Sequence, residues 1–206
     1  MRDLLEEKDV RGSANFQKFE ETVDKIEQHV ERAGSVVHRM LGFTRRIKPV
    51  YNDVYLNDVL KQTTAFLDNE IRFRNIELDW ALLPDLPSIQ SDAAQIQQVV
   101  LNLFNNAIDA IGKNGRITMT TTCDQAADTV TVSIRDDGPG MDKEVQHRIF
   151  DPFFTTKKVG EGTGLGLSIS YSIINKLGGT LRFESEPGEG TEFIITLPVK
   201  HHDRKE

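Results

Sequence analysis

QVVLNLFNNAIDAI, residues 98–111, sets the architecture of this chain. Asn102 and Asn106 lie four residues apart and Asp109 follows three residues later, so their side chains share one face of a helix. Asparagine is a mediocre helix former, so this polar face is either merely solvated or built for a function. The apolar residues of the stretch recur at helical spacing and predict one face in a core, namely Val99, Leu103, Ile108 and Ile111.

A second motif, DDGPGM at 136–141, combines a carboxylate with glycines at the predicted end of a strand. A carboxylate only accepts hydrogen bonds, so Asp136 suits the exocyclic amine of adenine and would repel the carbonyl of guanine. Gly138 and Gly140 allow the backbone to approach a base closely. Asp-Gly-Pro-Gly is also ordinary turn sequence. The preceding helix with its asparagines favours the nucleotide interpretation over the turn.

A third motif is glycine-rich, GTGLGL at 162–167, and it leads into a predicted helix, GLSISYSIINKLGG. Backbone amides at a helix N-terminus can bind a phosphate, although glycine-rich turns before helices are common and this signal is weak by itself. Lys157 in FFTTKK is placed to reach a phosphate as a mobile point charge, with a solvated loop lysine as the alternative. We interpret three aromatic residues of this region as core anchors for the loop, namely Phe150, Phe153 and Phe154.

Together the three motifs resemble the ATP-binding domain of sensor histidine kinases, within the gyrase, chaperone, kinase and mismatch-repair ATPase (GHKL) superfamily. The resemblance covers roughly residues 54–199. It implies an α/β fold of the Bergerat type, which is a two-layer sandwich with a mixed sheet, helices on one face and the nucleotide between the helices. It also implies ATP and Mg²⁺ as cofactors.

The resemblance assigns site residues motif by motif. Asn106 offers an amide oxygen that suits Mg²⁺ beside phosphate oxygens, and it is the expected metal ligand. Asp109 stands near where many kinases carry a basic residue, and its role stays open between repelling phosphate and binding through water. Lys157 is the one candidate for a catalytic role. The expected ATP-binding residues are Asn102, Asn106, Asp109, Asp136, Gly138, Gly140, Lys157, Gly160, Gly162, Thr163, Gly164, Leu165, Gly166, Leu167 and Thr191.

The identity of Asn102 bears on the reaction. In the hydrolytic relatives the equivalent position is a glutamate that activates water as a general base, and an amide cannot take that proton. The pocket is therefore expected to hold ATP for phosphoryl transfer to another acceptor.

The N-terminal segment carries a heptad pattern of apolar residues from Phe16 to Ile47, which predicts a long coiled-coil-like helix that needs a partner helix. A solitary stalk is the alternative. By resemblance, this is the second helix of a dimerisation hairpin, with HRMLGFTRR as its C-terminal half. Residues 1–52 are thus interpreted as part of a dimerisation and histidine-phosphotransfer region, and 53–200 as the ATP-binding domain.

The family's first helix carries a phosphoaccepting histidine followed by an acid, and no such box occurs here. The histidines at 29, 38 and 147 precede Val or Arg, and His202, which precedes Asp203, lies close to the chain end. We expect the box to lie upstream of Met1, with MRDLLEE as the end of helix one. This chain alone is then expected not to autophosphorylate.

The remaining pattern predicts further elements and caps. Asn57 is the expected N-cap of a helix that runs to about Phe73, and Ser91 or Asp92 the cap of the central helix. LPDLPSIQ at 83–90 is predicted to be a loop. The expected strands and short helix are a strand at 53–56, a strand at 76–83, hairpins formed by 116–123 with 129–136 and by 180–185 with 191–199, and a helix at 143–150.

Composition narrows the function classes. A net charge of −7 argues against nonspecific nucleic-acid binding, which needs a basic face. Cys123 is the single cysteine, which excludes a disulfide within the chain and suggests a reducing compartment. Neither a membrane-length apolar run nor a signal peptide is visible, so we expect a soluble, cytoplasmic chain, with a membrane anchor left open for the parent protein.

The leading hypothesis is the catalytic half of a sensor histidine kinase, a protein histidine kinase of two-component signal transduction. It would transfer the γ-phosphoryl group of ATP to a histidine absent from this chain, for relay to the receiver domain of a response regulator. The parent is expected to be a homodimer. A hydrolytic conformational ATPase of the same superfamily is the enzyme alternative, which Asn102 argues against. A non-catalytic interaction module with a degenerate nucleotide pocket is the third hypothesis.

Overall fold

The described residues form a mixed five-stranded sheet with helices on one face, together with a small two-stranded sheet. The computed structural model describes residues 22–23, 50–158 and 162–200. The predicted heptad helix at 16–47 lies outside these residues except for Thr22 and Val23, as do the predicted end of helix one at 1–7 and Gly160. The elements are β1 (Asn52–Val54), α1 (Leu56–Ala65), α2 (Asp68–Phe73), β2 (Ile76–Ala81), β3 (Ile89–Ser91), α3 (Ala93–Ile111), β4 (Gly115–Asp124), β5 (Thr129–Asp136), α4 (Lys143–Gln146), α5 (Gly166–Lys176), β6 (Thr180–Glu186) and β7 (Gly190–Pro198).

The strand order of the main sheet is β2-β4-β5-β7-β6. Strands β2 and β4 pair in parallel, and every other neighbouring pair is antiparallel. The predicted two-layer α/β fold with a mixed sheet is therefore confirmed. Both predicted hairpins, β4–β5 and β6–β7, are also confirmed, because alternating apolar residues flanked by turn residues are a local signal.

The core lies between the sheet and α3. Alternate residues of β4 and β5 point inward, among them Ile117, Met119 and Ile134, which are 0–1% exposed. They face an α3 stripe that includes Leu103 and Phe104, both 0% exposed. Burial of such side chains contributes roughly 1.5–3 kcal/mol each, so this interface fixes α3 on the sheet. Val99 and Ile108 are buried as predicted, whereas Ile111, the last residue of α3, is only half-buried.

Asp92 is the N-cap of α3, and the alternative cap, Ser91, ends β3. The Asp92 carboxylate accepts hydrogen bonds from the Ala94 and Gln95 amides at 3.0 and 3.1 Å. Burial raises the pKa of this carboxyl, but hydrogen bonds from Gln95, Val50 and Ala94 outweigh that effect, so the pKa lies below its usual range. The cap therefore starts the helix that carries the asparagines.

Three predicted elements differ from the structure. The helix predicted to run to Phe73 is two helices, α1 and α2, and α1 begins after Tyr55. Asn57 does not cap it, because its side chain donates to the Leu83 carbonyl at 2.8 Å and accepts from the Thr121 hydroxyl at 3.0 Å. The predicted loop at 83–90 contains the start of β3, which pairs antiparallel with β1. Helix α4 covers only the first half of the predicted helix at 143–150.

No helix within the described parts of the chain is long and apolar enough to cross a membrane.

Candidate functional site

Asn102 lies on the face of α3 that meets the start of α5. Its amide donates to the Ser170 hydroxyl at 3.0 Å, which fixes the orientation of the side chain. A Cβ atom at Gly166 would lie 2.1 Å from the Asn102 amide oxygen. The first residue of α5 therefore lies in direct contact with the Asn102 side chain, and a larger residue at 166 would displace it.

Asn106 lies one turn further along α3 and is half-buried. Within residues 50–158 and 162–200 its amide has no hydrogen-bond partner. No group of three or more His, Cys, Asp or Glu side chains in the same residues is arranged to hold a metal ion. Asn106 offers a divalent cation a neutral amide oxygen, which fits Mg²⁺ because Mg²⁺ usually takes few protein ligands together with substrate phosphates and water.

Asp136 ends β5 and is 3% exposed. One carboxylate oxygen accepts from the Gly138 and Thr191 amides at 3.0 and 3.3 Å. The other oxygen has no partner among the described residues, and none of their fully buried polar side-chain atoms is left unpaired, so this oxygen is accessible. Burial raises the pKa of the carboxyl, although the two amide hydrogen bonds and Arg135 oppose it. The result is one fixed oxygen and one open acceptor.

The glycines of the second motif hold the loop close to its neighbours. A Cβ at Gly138 would lie 3.2 Å from the Ala110 backbone and 2.8 Å from the Asp136 carboxylate. Gly140 has a φ of +68°, and a Cβ there would lie 2.0 Å from the Glu186 carbonyl. The loop is therefore packed between the end of α3 and the β6–β7 hairpin, a close approach that side chains would prevent.

Two residues that the sequence interpretation missed tie this loop to the sheet. The Ser185 hydroxyl accepts from the Met141 amide at 2.9 Å and lies 3.0 Å from the Thr191 hydroxyl. The Gln146 amide donates to the Met141 and Ser185 carbonyls at 2.7 and 2.9 Å. Register could have revealed Ser185, because it pairs with Thr191 across the predicted β6–β7 hairpin. Nothing in the sequence pattern points to Gln146.

Lys157 contacts α3 through an ion pair with Asp109. Asp109 also lies 3.5 Å from the Arg74 guanidinium, which pairs with Glu70 at 2.8 Å. Asp109 is thus held between two cations, an arrangement that the sequence did not suggest and that involves the unpredicted Arg74. The contact brings the loop lysine to the helix that carries Asn102 and Asn106.

The glycine-rich segment turns tightly before α5. Gly164 has a φ of +65°, a Cβ there would lie 2.3 Å from the Phe153 carbonyl carbon, and its own carbonyl accepts from the Phe153 amide at 2.9 Å. Gly162 faces Lys157, and Leu165 is buried just before α5 begins. Thr163 and Leu167 are half-buried.

Of the three aromatic residues predicted as core anchors, Phe150 and Phe154 pack against the core and Phe153 does not. Phe150 packs on Tyr171 and Phe183 at ring-centroid distances of 5.0 and 5.8 Å, as an anchor should. Phe154 is half-buried beneath the Arg148 guanidinium. Phe153 is 68% exposed, so its interpretation as a core anchor was wrong. Its φ of +67° turns it outward, a backbone feature that sequence does not reveal.

The three motifs therefore meet on α3. Gly138 packs against Ala110, Lys157 pairs with Asp109, and Gly166 touches Asn102. The site combines an open carboxylate oxygen of Asp136, an unpaired amide of Asn106, the Lys157 cation and the N-terminus of α5. These groups suit a ligand that carries both an amine donor and negative charge.

Comparison with known proteins places the chain among ATPases and kinases. A family model described as "Histidine kinase-, DNA gyrase B-, and HSP90-like ATPase" matches residues 91–201. Sensor kinase CckA of Brucella abortus (strain 2308) is 40% identical over 188 residues, which are 84% of this chain and 20% of CckA. The chain spans between 20% and 38% of the length of the curated relatives it matches.

Solved structures give the same result. The catalytic domain of histidine kinase ThkA is 34% identical, with a TM-score of 0.65 over 73% of this chain and 97% of that domain. ThkA in complex with response regulator protein TrrA is 27% identical, with a TM-score of 0.75 over 96% of this chain and 55% of ThkA. Full-length ShkA in complex with AMPPNP is 25% identical, with a TM-score of 0.75 over 92% of this chain and 40% of ShkA.

Proposed function

Because the chain belongs to the histidine kinase-, DNA gyrase B- and HSP90-like ATPase family, we propose that it is the ATP-binding catalytic part of a sensor histidine kinase. Membership of an ATPase family supports the use of ATP. CckA, ThkA and ShkA are kinases by name, and ShkA binds the ATP analogue AMPPNP. These proteins support the kinase assignment over an interaction module with a degenerate pocket.

The observation that carries the proposal is the burial and hydrogen bonding of the Asp136 carboxylate. A carboxylate that is 3% exposed, held by two backbone amides and still open at one oxygen is suited to a ligand that brings its own hydrogen-bond donor. The exocyclic amine of adenine is such a donor. Thr191, whose amide holds the same carboxylate, would lie beside the base.

The phosphates would lie towards Lys157 and the start of α5. The backbone amides of Gly166 and Leu167, in the first turn of that helix, would face an anion there, and the helix dipole favours negative charge. Lys157 would leave or share its pairing with Asp109 to contact a phosphate oxygen. Gly160 and Gly162 would allow the loop to approach the phosphates.

Asn106 would hold Mg²⁺ through its amide oxygen, with phosphate oxygens and water completing the shell. The ion, when bound, would neutralise charge on the transferred phosphoryl group. Asn102 would lie beside the phosphates, held there by its hydrogen bond to Ser170.

We propose transfer as the reaction, in preference to hydrolysis. An imidazole nitrogen of the acceptor histidine would donate its lone pair to the γ-phosphorus, and the bond to the bridging oxygen would break, so that ADP leaves with the electron pair. The proton on the other ring nitrogen would pass to the acid that follows the histidine. Asn102 cannot remove a proton from water, whereas transfer to an imidazole does not depend on a base at this position. Catalysis then rests on positioning and charge stabilisation.

The acceptor and the partners are also part of the proposal. Residues 1–52 would belong to the dimerisation region and 53–200 to the catalytic domain, within a homodimeric, cytoplasmic kinase. The phosphoryl group would pass to the receiver domain of a response regulator, as the complex of ThkA with the response regulator protein TrrA suggests.

Calorimetric titration tests the proposal. MgATP should bind the wild-type chain at one site and should be displaced by ADP. Steady-state phosphate release should stay near the uncatalysed background. No binding of MgATP would overturn the assignment, and rapid phosphate release would favour a hydrolytic ATPase.

A further inference from the structure

The Ser185 hydroxyl lies within hydrogen-bond distance of three groups. These are the Met141 amide at 2.9 Å, the Gly190 carbonyl at 3.0 Å and the Thr191 hydroxyl at 3.0 Å. The amide can only donate and the carbonyl can only accept, whereas each hydroxyl has one proton and two lone pairs.

Only one distribution of protons makes all three contacts hydrogen bonds. Ser185 must donate its proton to the Gly190 carbonyl, because that oxygen has none to give. Its two lone pairs then accept from the Met141 amide and from the Thr191 hydroxyl. The Thr191 proton is therefore used on Ser185, and the Thr191 oxygen offers only lone pairs to any other group.

Thr191 lies directly opposite Asp136 in the β5–β7 register. Both side chains are buried on the helix side of the sheet, at 6% and 3% exposure, and the Thr191 amide donates to Asp136 at 3.3 Å. Directly opposed residues of an antiparallel pair are near neighbours. The open Asp136 oxygen and the Thr191 hydroxyl oxygen are therefore neighbouring acceptors, and neither has a proton to donate. We call these two oxygens the acceptor pair.

We propose that Ser185 is a positioning residue that sets the base specificity of this site. Because Ser185 accepts the Thr191 proton, the Thr191 hydroxyl cannot donate that proton to a ligand beside Asp136. A 6-amino purine has two N–H donors on its amine and can donate to both oxygens of the acceptor pair. The same oxygens repel the carbonyl of a 6-oxo purine. This inference rests on the proposed function, because it takes the site to be an ATP site.

The test compares ATP with inosine triphosphate, which carries a carbonyl in place of the amine. Dissociation constants of both Mg-nucleotides are measured with the full chain by calorimetry. In Ser185→Ala the Thr191 hydroxyl is free to turn and donate, so the preference for ATP over inosine triphosphate should fall by about fivefold, the size expected of one hydrogen bond. Ser133→Ala is the matched control, because Ser133 is a half-buried hydroxyl on the outer face of the same sheet, bonded to Glu192.

A second comparison separates specificity from general loosening of the loop. In the Thr191→Val background, adding Ser185→Ala should leave the nucleotide preference unchanged, since the Thr191 proton is already gone. Ser185→Cys, which preserves the side-chain volume, should lower the preference partway if Ser185→Ala does not fold.

The outcomes are distinguishable. Equal weakening of both nucleotides in Ser185→Ala, or a further fall in the Thr191→Val background, would show that Ser185 only stabilises the loop and would overturn the inference. A wild-type chain that binds neither nucleotide would overturn the proposed function, and this inference with it.

Discussion

Replacing Asp136 by Asn tests base recognition without disturbing the surrounding backbone. The side-chain oxygen of the introduced asparagine can still accept from the Gly138 and Thr191 amides, which lie 3.0 and 3.3 Å from the present carboxylate oxygen. The amide NH₂ would then occupy the open position, where it presents a donor to the donor of adenine. The variant therefore keeps the internal hydrogen bonds and loses the one directed outward.

Two effects of Asp136→Asn point in opposite directions. Loss of a charge-assisted hydrogen bond costs about 1.5–3 kcal/mol, which weakens ATP binding by a factor of roughly 10 to 150. The free energy of unfolding of Asp136→Asn at neutral pH should not be lower than that of the wild type. Burial raises the pKa of Asp136, so its contribution to stability is present at low pH and is lost as the pH rises through that pKa. At neutral pH the ionised group costs stability, and the asparagine removes that cost.

Calorimetric titration with MgATP and thermal unfolding at pH 7 measure the two effects on one sample. We expect weaker binding with an unchanged or higher unfolding temperature. Asp137→Asn is the matched control, since Asp137 is an exposed carboxylate that accepts from the Arg116 amide at 2.8 Å and should leave ATP affinity unchanged. ATP affinity within about twofold of wild type in Asp136→Asn, far below the cost of a charge-assisted bond, would refute the adenine assignment.

Two further predictions concern protons and the metal. As the pH falls, ATP affinity should begin to drop above the pKa of an ordinary aspartate, because the raised pKa of Asp136 lets this carboxyl take a proton that turns the open acceptor into a donor. ATP affinity measured across pH should lose this step in Asp136→Asn. An identical pH profile in both proteins would exclude Asp136 as its source. Asn106→Ala should remove most of the Mg²⁺ dependence of ATP affinity and leave adenosine binding nearly intact, so an unchanged Mg²⁺ titration would move the metal site elsewhere, with Asn102 as the next candidate.

The sequence predicted helix α3 and both hairpins, because these elements depend on patterns within short segments. The apolar spacing predicted helix α3, the pair Ser91 and Asp92 predicted where it starts, and alternating strands predicted both hairpins. The errors involve long-range partners. Asn57 has the form of an N-cap, but its partner Thr121 lies 64 residues away. Strand β3 was missed because its three residues are too few to show a periodicity, and it pairs with β1, which overlaps the predicted strand at 53–56.

In the site, too, motifs within one segment were visible in the sequence, whereas contacts between separate elements were not. The structure brings two glycine motifs into contact with α3, through Gly138 at Ala110 and Gly166 at Asn102, and each motif carries its own constraint on the backbone. Gln146 and Arg74 were missed, since their contacts to Ser185 and Asp109 depend on how separate elements pack. The ion pair of Lys157 with Asp109 likewise has no signature in either segment alone.

The most direct measurement combines this chain with ATP labelled on the γ-phosphate, Mg²⁺ and a separate protein whose helix carries a histidine followed by an acid. We predict an acid-labile label on the histidine of that protein, none on this chain when it is incubated alone, and a much weaker label with Asp136→Asn at ATP concentrations below its dissociation constant. Free labelled phosphate accumulating with no labelled histidine would contradict the account, because it would show that the bound ATP is hydrolysed.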